Sequence, residues 1–326
     1  MTITRDMIDK ELRVGAFIGP LVMRPTEGRF RLLRFLQRAS IGQNVRGLAC
    51  DQIQIPRSSG KGTIRTRIYR PEQVDGPLPV LVYFHGGGYA IGVPESTGGL
   101  FKQIIDTRAC VLVAPDYRKS LDAPYPAALD DCYDTLTWVV QNAATLGVRT
   151  DQVMIGGHSA GGGLTAAVAL RARDQQDVAL SFQMPIYPMI DDRMTSASAT
   201  DNNDPIWGSR ANTLGWRLYL GDQFGADTVP YTAAPARATD LSGLPPTATY
   251  VGDLEPFRDE TVAYVDALKA AGVPVDFELF MGCYHGFDLF APSAGVSQRA
   301  TAFILDAFAR AVDTHIAPQP DTVPAA

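Results

Sequence analysis

Six times between Leu78 and Gly282 the chain passes through a short, continuous apolar run: LPVLVYF, CVLVAP, QVMIGG, LSFQMPIYPMI, TATYVGD and VDFELFMG. Runs of this length without polar alternation suit strands buried on both faces, as in a parallel sheet. A shorter alternating segment, TRIYRP, precedes them. The stretches ALDDCYDTLTWVVQNA, GLTAAVALRARD, RDETVAYVDALKAAG and RATAFILDAFARAV read as helices. Strand and helix in alternation predict an α/β fold: a doubly wound, mostly parallel sheet flanked by helices.

Two regions stand outside the alternation. Residues 1–47 read as helical, because RFRLLRFLQRA spaces Phe30, Leu33 and Leu36 for one helix face, with arginines between. Such a helix packs on the main body or covers a site. Residues 191–246 hold Trp207, Trp216, Tyr219 and Phe224. A structureless loop of that length is rare in a compact domain, so a small helical insertion is expected. The closing PQPDTVPAA is polar and proline-rich, and residues 316–326 are expected to fray.

Composition narrows the function classes. With 326 residues and 46% hydrophobic content, the chain can bury a core without metal or disulfide staples. The four cysteines are scattered, which fits buried free thiols. A net charge of −6 without a long basic run argues against nucleic-acid or anionic-membrane binding. No stretch reaches the roughly 18 apolar residues of a membrane span. The charged start MTITRDMIDKELRVG does not read as a signal peptide, so a cytoplasmic protein is expected.

The chemistry gathers at GHSAG, residues 157–161, which matches G-x-S-x-G. An apolar strand, VMI, runs in and a helix, GLTAAVALRA, runs out. That is the setting of a nucleophile elbow, in which Ser159 stands on a tight turn above the sheet. HGGGYAIG, residues 85–92, follows a strand, and its glycines let main-chain N–H groups converge on one point. With the N–H of Ala160 they would form an oxyanion hole. A glycine run can also cradle phosphate, but no Walker lysine follows.

Four histidines are present: His85, His158, His285 and His315. His315 lies in the tail, and His85 opens the glycine loop and would hold its shape. Neighbours on a sharp turn point apart, so the His158 ring should project away from the Ser159 hydroxyl. His285, in CYHGF after the last strand, remains as the base. The acid should precede it, after another strand. In VGDLEPFRDE, Asp259 and Glu260 suit the first turns of a helix opened near Pro256. Asp253 and Glu255 stay on the loop, and spacing alone does not separate them.

Together these pieces resemble the hormone-sensitive-lipase-like, bacterial family IV, carboxylesterases of the α/β-hydrolase superfamily. HGGGYAIG is similar to the family's H-G-G-G motif. PDYRKSLDAPYPAALDD is similar to its D-Y-R stretch, GHSAGGG to its elbow, EPFRDE to its acid motif and YHGF to its H-x-F. The resemblance spans roughly residues 60–310, in order. It implies Ser159 as nucleophile, His285 as base and Glu255 as acid. Gly87, Gly88 and Ala160 would donate to the oxyanion, and Gly86 would mainly shape the loop. The family usually carries Asp where His158 and Glu255 stand.

The resemblance also implies a helical cap, built from residues 1–47 and 191–246, over a core of residues 48–190 and 247–315. Tyr89, Trp207, Trp216 and Phe287 are the candidate substrate contacts. The reaction would be hydrolysis of short- to medium-chain acyl esters through an acyl-enzyme. It needs no metal or organic cofactor. The partner would be a small-molecule ester, and relatives often form homodimers. An amidase or deacetylase could use the same triad. A receptor on the same fold is the non-catalytic alternative: plant gibberellin receptors resemble this family but lack the histidine that is present here as His285.

Overall fold

The computed structural model describes residues 1–73 and 75–320. The expected α/β sheet is there, with eight strands among the described residues. They are β1 (Ala49–Pro56), β2 (Thr63–Arg70), β3 (Leu78–Phe84), β4 (Val111–Pro115), β5 (Val148–His158), β6 (Phe182–Ile186), β7 (Thr247–Gly252) and β8 (Val275–Phe280). Their order across the sheet is β1-β2-β4-β3-β5-β6-β7-β8. β2 runs antiparallel to β1 and β4, and every later pairing is parallel. All five residues of β4 and of β6 are buried, as expected of strands covered on both faces. β1 is the strand that the apolar runs do not announce: in ACDQIQIP only Ile55 is fully buried.

Ten helices are described: α1 (Arg13–Val22), α2 (Glu27–Gln37), α3 (Gly98–Thr107), α4 (Ala127–Gln141), α5 (Ala143–Leu146), α6 (Ala160–Gln175), α7 (Ser209–Leu220), α8 (Arg258–Ala270), α9 (Phe287–Phe290) and α10 (Gly295–Thr314). The sheet divides two cores. β3 sends Val80, Val82 and Phe84 into one, with α4, α6 and α8, and Leu81 and Tyr83 into the other, with α3 and α10. This is the period-two alternation of a strand covered on both sides. α6 is buried along nearly its whole length, and its small residues let it lie close on β3 and β5.

The insertion contains α7 and two short 3-10 turns, Gly221–Gln223 and Pro235–Arg237. In the N-terminal segment only part of the expected packed face is inward. Phe30 is fully buried and Leu33 half-buried, whereas Leu36 is exposed. The tail departs from expectation over 316–320. Ala317 N–H donates to the Asp151 carbonyl, and the Gln319 amide donates to the Thr150 and Ala179 carbonyls. Satisfied hydrogen bonds anchor this segment; residues 321–326 lie outside the described residues. No described helix is long and apolar enough to cross a membrane.

Candidate active site

Parallel strands place all their C-terminal ends at one edge, where α/β proteins build sites. Ser159 follows β5, Glu255 lies just past β7 and His285 just past β8. The last two loops are stitched together: Asp253 N–H donates to the Phe280 carbonyl at 3.0 Å and Leu254 N–H to the Cys283 carbonyl at 3.1 Å. Neighbouring strands thus deliver an acid and an imidazole to one point.

Ser159 sits at φ +58°, ψ −122°, a conformation rare outside glycine. The turn survives because both flanking glycines are pressed against main chain. A Cβ on Gly161 would lie 2.0 Å from the Phe84 carbonyl oxygen, and one on Gly157 would lie 2.4 Å from that of Gly161. Ser159 N–H donates to the Ile186 carbonyl, and the Ser159 carbonyl accepts from Met189 and Gly163, so the strain is held from both sides.

A continuous hydrogen-bonded line leaves the serine. His285 Nε2 lies 2.9 Å from Ser159 Oγ, and His285 Nδ1 lies 2.5 Å from Glu255 Oε2. The other Glu255 oxygen accepts the Gly252 N–H at 2.7 Å. Asp253 faces elsewhere, with its carboxylate accepting the Cys283 N–H. The loop geometry therefore separates the two acids that spacing left open, and brings Glu255 to the imidazole.

Two further carboxylates surround His285. Asp204 Oδ2 accepts the His285 N–H at 2.7 Å, while its Oδ1 accepts from Ile206 and Trp207 at 2.8 and 2.9 Å. Asp288 accepts from the Tyr187 and Tyr250 hydroxyls. Burial lowers the His285 pKa to about 4, and the charges of Asp204 and Asp288 oppose that shift. The resting imidazole is therefore neutral at pH 7. Sequence reasoning passed over both residues. DNNDPIW carries a local signal for Asp204, since Asn and Asp favour side-chain-to-backbone turns; Asp288 has none.

The glycine loop, Gly86–Gly88, borders the same space. Gly86 N–H is engaged by His158 Nε2 at 3.1 Å. The His158 Nδ1 lies 3.2 Å from the Tyr83 hydroxyl. A ring that accepts from Gly86 must carry its proton on Nδ1 and donate it to Tyr83. Burial, with His285 nearby, pushes the His158 pKa down to about 3 and keeps the ring neutral. Gly87 takes φ +119°, where a Cβ would meet the Ile91 carbonyl at 2.3 Å. Ala160 is the first residue of α6, so its N–H has no partner within the helix and is free for an anion. His85 Nδ1 bonds the Gly86 carbonyl and its ring stacks on Tyr117 at 4.3 Å.

A cavity of about 290 Å³ opens above Ser159, walled by the glycine loop, Tyr187, Ile206, Trp207 and Phe290. Of the four expected substrate contacts only Trp207 lines it. The other three are corrected by their packing. Trp216 and Tyr89 bury against Tyr219, with Tyr89 donating to the Met189 carbonyl. Phe287 packs between Tyr250 and Phe280. Among the described residues no group of three His, Cys, Asp or Glu side chains is placed to hold a metal ion.

An α/β sheet with a strained serine on the strand-to-helix turn, bonded through histidine to a buried carboxylate, defines the serine hydrolases of the α/β-hydrolase fold. The profile of a family described as alpha/beta hydrolase fold matches residues 81–289. The chain is 35% identical over 256 residues to carboxylesterase NlhH of Mycobacterium tuberculosis (strain CDC 1551 / Oshkosh), covering 78% of this chain and 80% of that one. It superposes on a bacterial heroin esterase with a TM-score of 0.87 at 32% identity, covering 96% of this chain and all of the other. Esterase LipW from Mycobacterium marinum gives a TM-score of 0.85 at 32% identity, over 94% and 97% of the two chains. The chain belongs to the hormone-sensitive-lipase-like carboxylesterases of the α/β-hydrolase superfamily.

Proposed function

We propose that the protein hydrolyses short- to medium-chain acyl esters through an acyl-enzyme on Ser159. The observation that carries this reading is the unbroken line Ser159 Oγ–His285–Glu255, with a small cavity at its open end. The Ser159 oxygen attacks the ester carbonyl carbon as its proton moves to His285 Nε2. The carbonyl oxygen takes the negative charge and is held by the N–H groups of Gly87, Gly88 and Ala160. His285 returns the proton to the departing alcohol. Water then gives a proton to His285 and attacks the acyl carbon, and His285 protonates Ser159 as the acid leaves. Glu255 fixes the tautomer of His285 and stabilises its transient cation.

The bounded cavity supports the short-chain preference, since its volume lies at the lower end for small-molecule sites. Nitrophenyl esters of graded acyl length, all kept soluble, test both claims. Turnover is expected to be highest between roughly two and eight carbons. It should vanish in Ser159→Ala with the circular dichroism spectrum unchanged. Faster hydrolysis of a palmitoyl than of a butyryl ester would overturn the chain-length reading. Turnover by Ser159→Ala within tenfold of wild type would overturn the mechanism.

A further inference from the structure

α1 packs the opposite way round from an ordinary surface helix, which turns its bulky apolar side chains inward. Its small residues face the body. A Cβ on Gly15 would meet the Tyr284 hydroxyl at 2.2 Å, and one on Gly19 would meet Ile206 at 2.5 Å. Its large ones face out: Val14 is 70% exposed and Phe17 79%. α2 buries Phe30 in the ordinary way but leaves Leu32, Phe35 and Leu36 exposed. Residues 1–47 hold ten of the sixteen large apolar side chains exposed among the described residues, a concentration in one short segment rather than even scatter.

Charge divides along the same boundary. Residues 1–47 carry nine Lys and Arg against four Asp and Glu, a net +5, whereas the remainder of the chain is net −11. Arg31 pairs with Glu27 and Arg34 with Asp122. Exposed Arg24 and Arg38 make no ion pair among the described residues. Met23, at the end of α1, and Gln37, the last residue of α2, reach the rim of the cavity, where exposed Leu289 and Phe290 continue the apolar surface.

We propose that this face of α1 and α2 docks on an anionic lipid surface. The apolar side chains enter the acyl boundary, Arg24 and Arg38 lie among the headgroups, and the cavity mouth sits at the margin of the contact. Basic residues beside an outward apolar face are the physical signature of a segment lying in a membrane interface. A second copy of the chain fits poorly, because two-fold pairing would set one +5 segment on another. The overall charge of −6 argued against an anionic surface only while the charge was read as uniform; a local field is set by its distribution.

The test uses the full-length protein with vesicles of phosphatidylglycerol and, separately, of phosphatidylcholine, in about 0.1 M salt. Partition is read by sedimentation. Phosphatidylglycerol is expected to capture the protein at least about tenfold better. The pair Phe17→Asp with Leu21→Asp, and the pair Arg24→Glu with Arg38→Glu, should each lower that partition about tenfold or more. Both should keep kcat/KM on soluble nitrophenyl acetate within twofold, because none of these residues lines the cavity. If a pair fails to fold, Phe17→Ser and Arg38→Gln carry the comparison. No capture by phosphatidylglycerol, equal capture by both lipids, or capture untouched by the substitutions would overturn the proposal. So would a wild-type dimer, seen by light scattering, that Phe17→Asp with Leu21→Asp dissociates. An inactive but folded wild type would sink the esterase reading and leave the vesicle measurement to decide docking.

Discussion

The end of β5 and the loop after β8 each bring a buried, neutral histidine to the wall of one cavity. His158 is the chain neighbour of Ser159, yet its ring nitrogens are occupied by the Gly86 N–H and the Tyr83 hydroxyl. His285 is distant in sequence, and its nitrogens face the Ser159 hydroxyl and the Glu255 carboxylate. Burial, the lowered pKa and the nearby serine are common to both. On the proposed mechanism, what separates the supporting imidazole from the reactive one is the identity of its two partners, not its proximity. An acceptor held against a main-chain N–H has no capacity left to take a proton from an alcohol.

The largest expected effect breaks the comparison from one side. His285→Asn should lower kcat by roughly 10⁴- to 10⁶-fold, the scale seen when a catalytic serine or histidine is removed from a serine protease. Steady-state kinetics on a nitrophenyl ester checks it, with circular dichroism as the folding control. A folded His285→Asn that stayed active would reverse the two assignments. Next comes the acid. Glu255→Gln should lose about 10⁴, by analogy with the corresponding change in another serine hydrolase, whereas Asp253→Asn should stay within a few-fold. The opposite ranking would move the triad acid by two residues.

The surroundings of His285 give a smaller, pH-dependent prediction. In the proposed mechanism His285 acts as base in its neutral form, and burial lowers its pKa to about 4. The acid limb of kcat/KM is then expected below the ordinary histidine value of about 6.5, toward 4. Asp204 raises that pKa. Asp204→Asn should consequently move the limb to still lower pH. Asn keeps one acceptor oxygen for the three N–H groups that Asp204 serves, so kcat should also slow by about tenfold. A limb that stayed in place would confine Asp204 to a structural part.

The smallest effect lies at His158. Asp at this position can still accept the Gly86 N–H, so His158→Asp should keep kcat/KM within about tenfold. The ring's own titration shows in stability instead. Its folded pKa, about 3, lies below the unfolded value of about 6.5, so protons favour the unfolded chain. The contribution is complete above about pH 6.5 and is lost as pH falls toward 3. Between pH 7 and 5 this amounts to about 2 kcal/mol. Asn cannot take up that proton, so urea melts of His158→Asn should lose correspondingly less over the same range.

Much of this was legible beforehand because it rests on local rules. Buried strands announce themselves as apolar runs, and the elbow needs glycines where main chain approaches within van der Waals contact. The turn at Ser159 and the glycine loop followed from such signals, whereas His285 was reached by elimination and by its place after the last strand. β1 did not, because an edge strand with a wet face carries little apolar pattern. Asp204 and Asp288 escaped because their partners, the His285 N–H and two tyrosine hydroxyls, come from distant parts of the chain. Trp216, Tyr89 and Phe287 were misplaced for a related reason: composition places aromatics near a site but says nothing of which way each ring turns. The outward turn of Leu36 was hidden by a helical periodicity that looks the same whichever side is buried.

Asp204 joins the His285 main chain to the turn that carries Trp207. One of its oxygens holds the main chain of the base, and the other holds the turn that carries Trp207 into the cavity wall. The Trp207 turn and the His285 main chain are in this way linked through one carboxylate. On the proposed mechanism, an ester whose acyl group pressed on Trp207 would displace the turn and, through Asp204, His285. Discrimination among esters should accordingly register more in kcat than in KM. Bulky substrates would be bound and turned over slowly, so that they act as inhibitors of their smaller competitors.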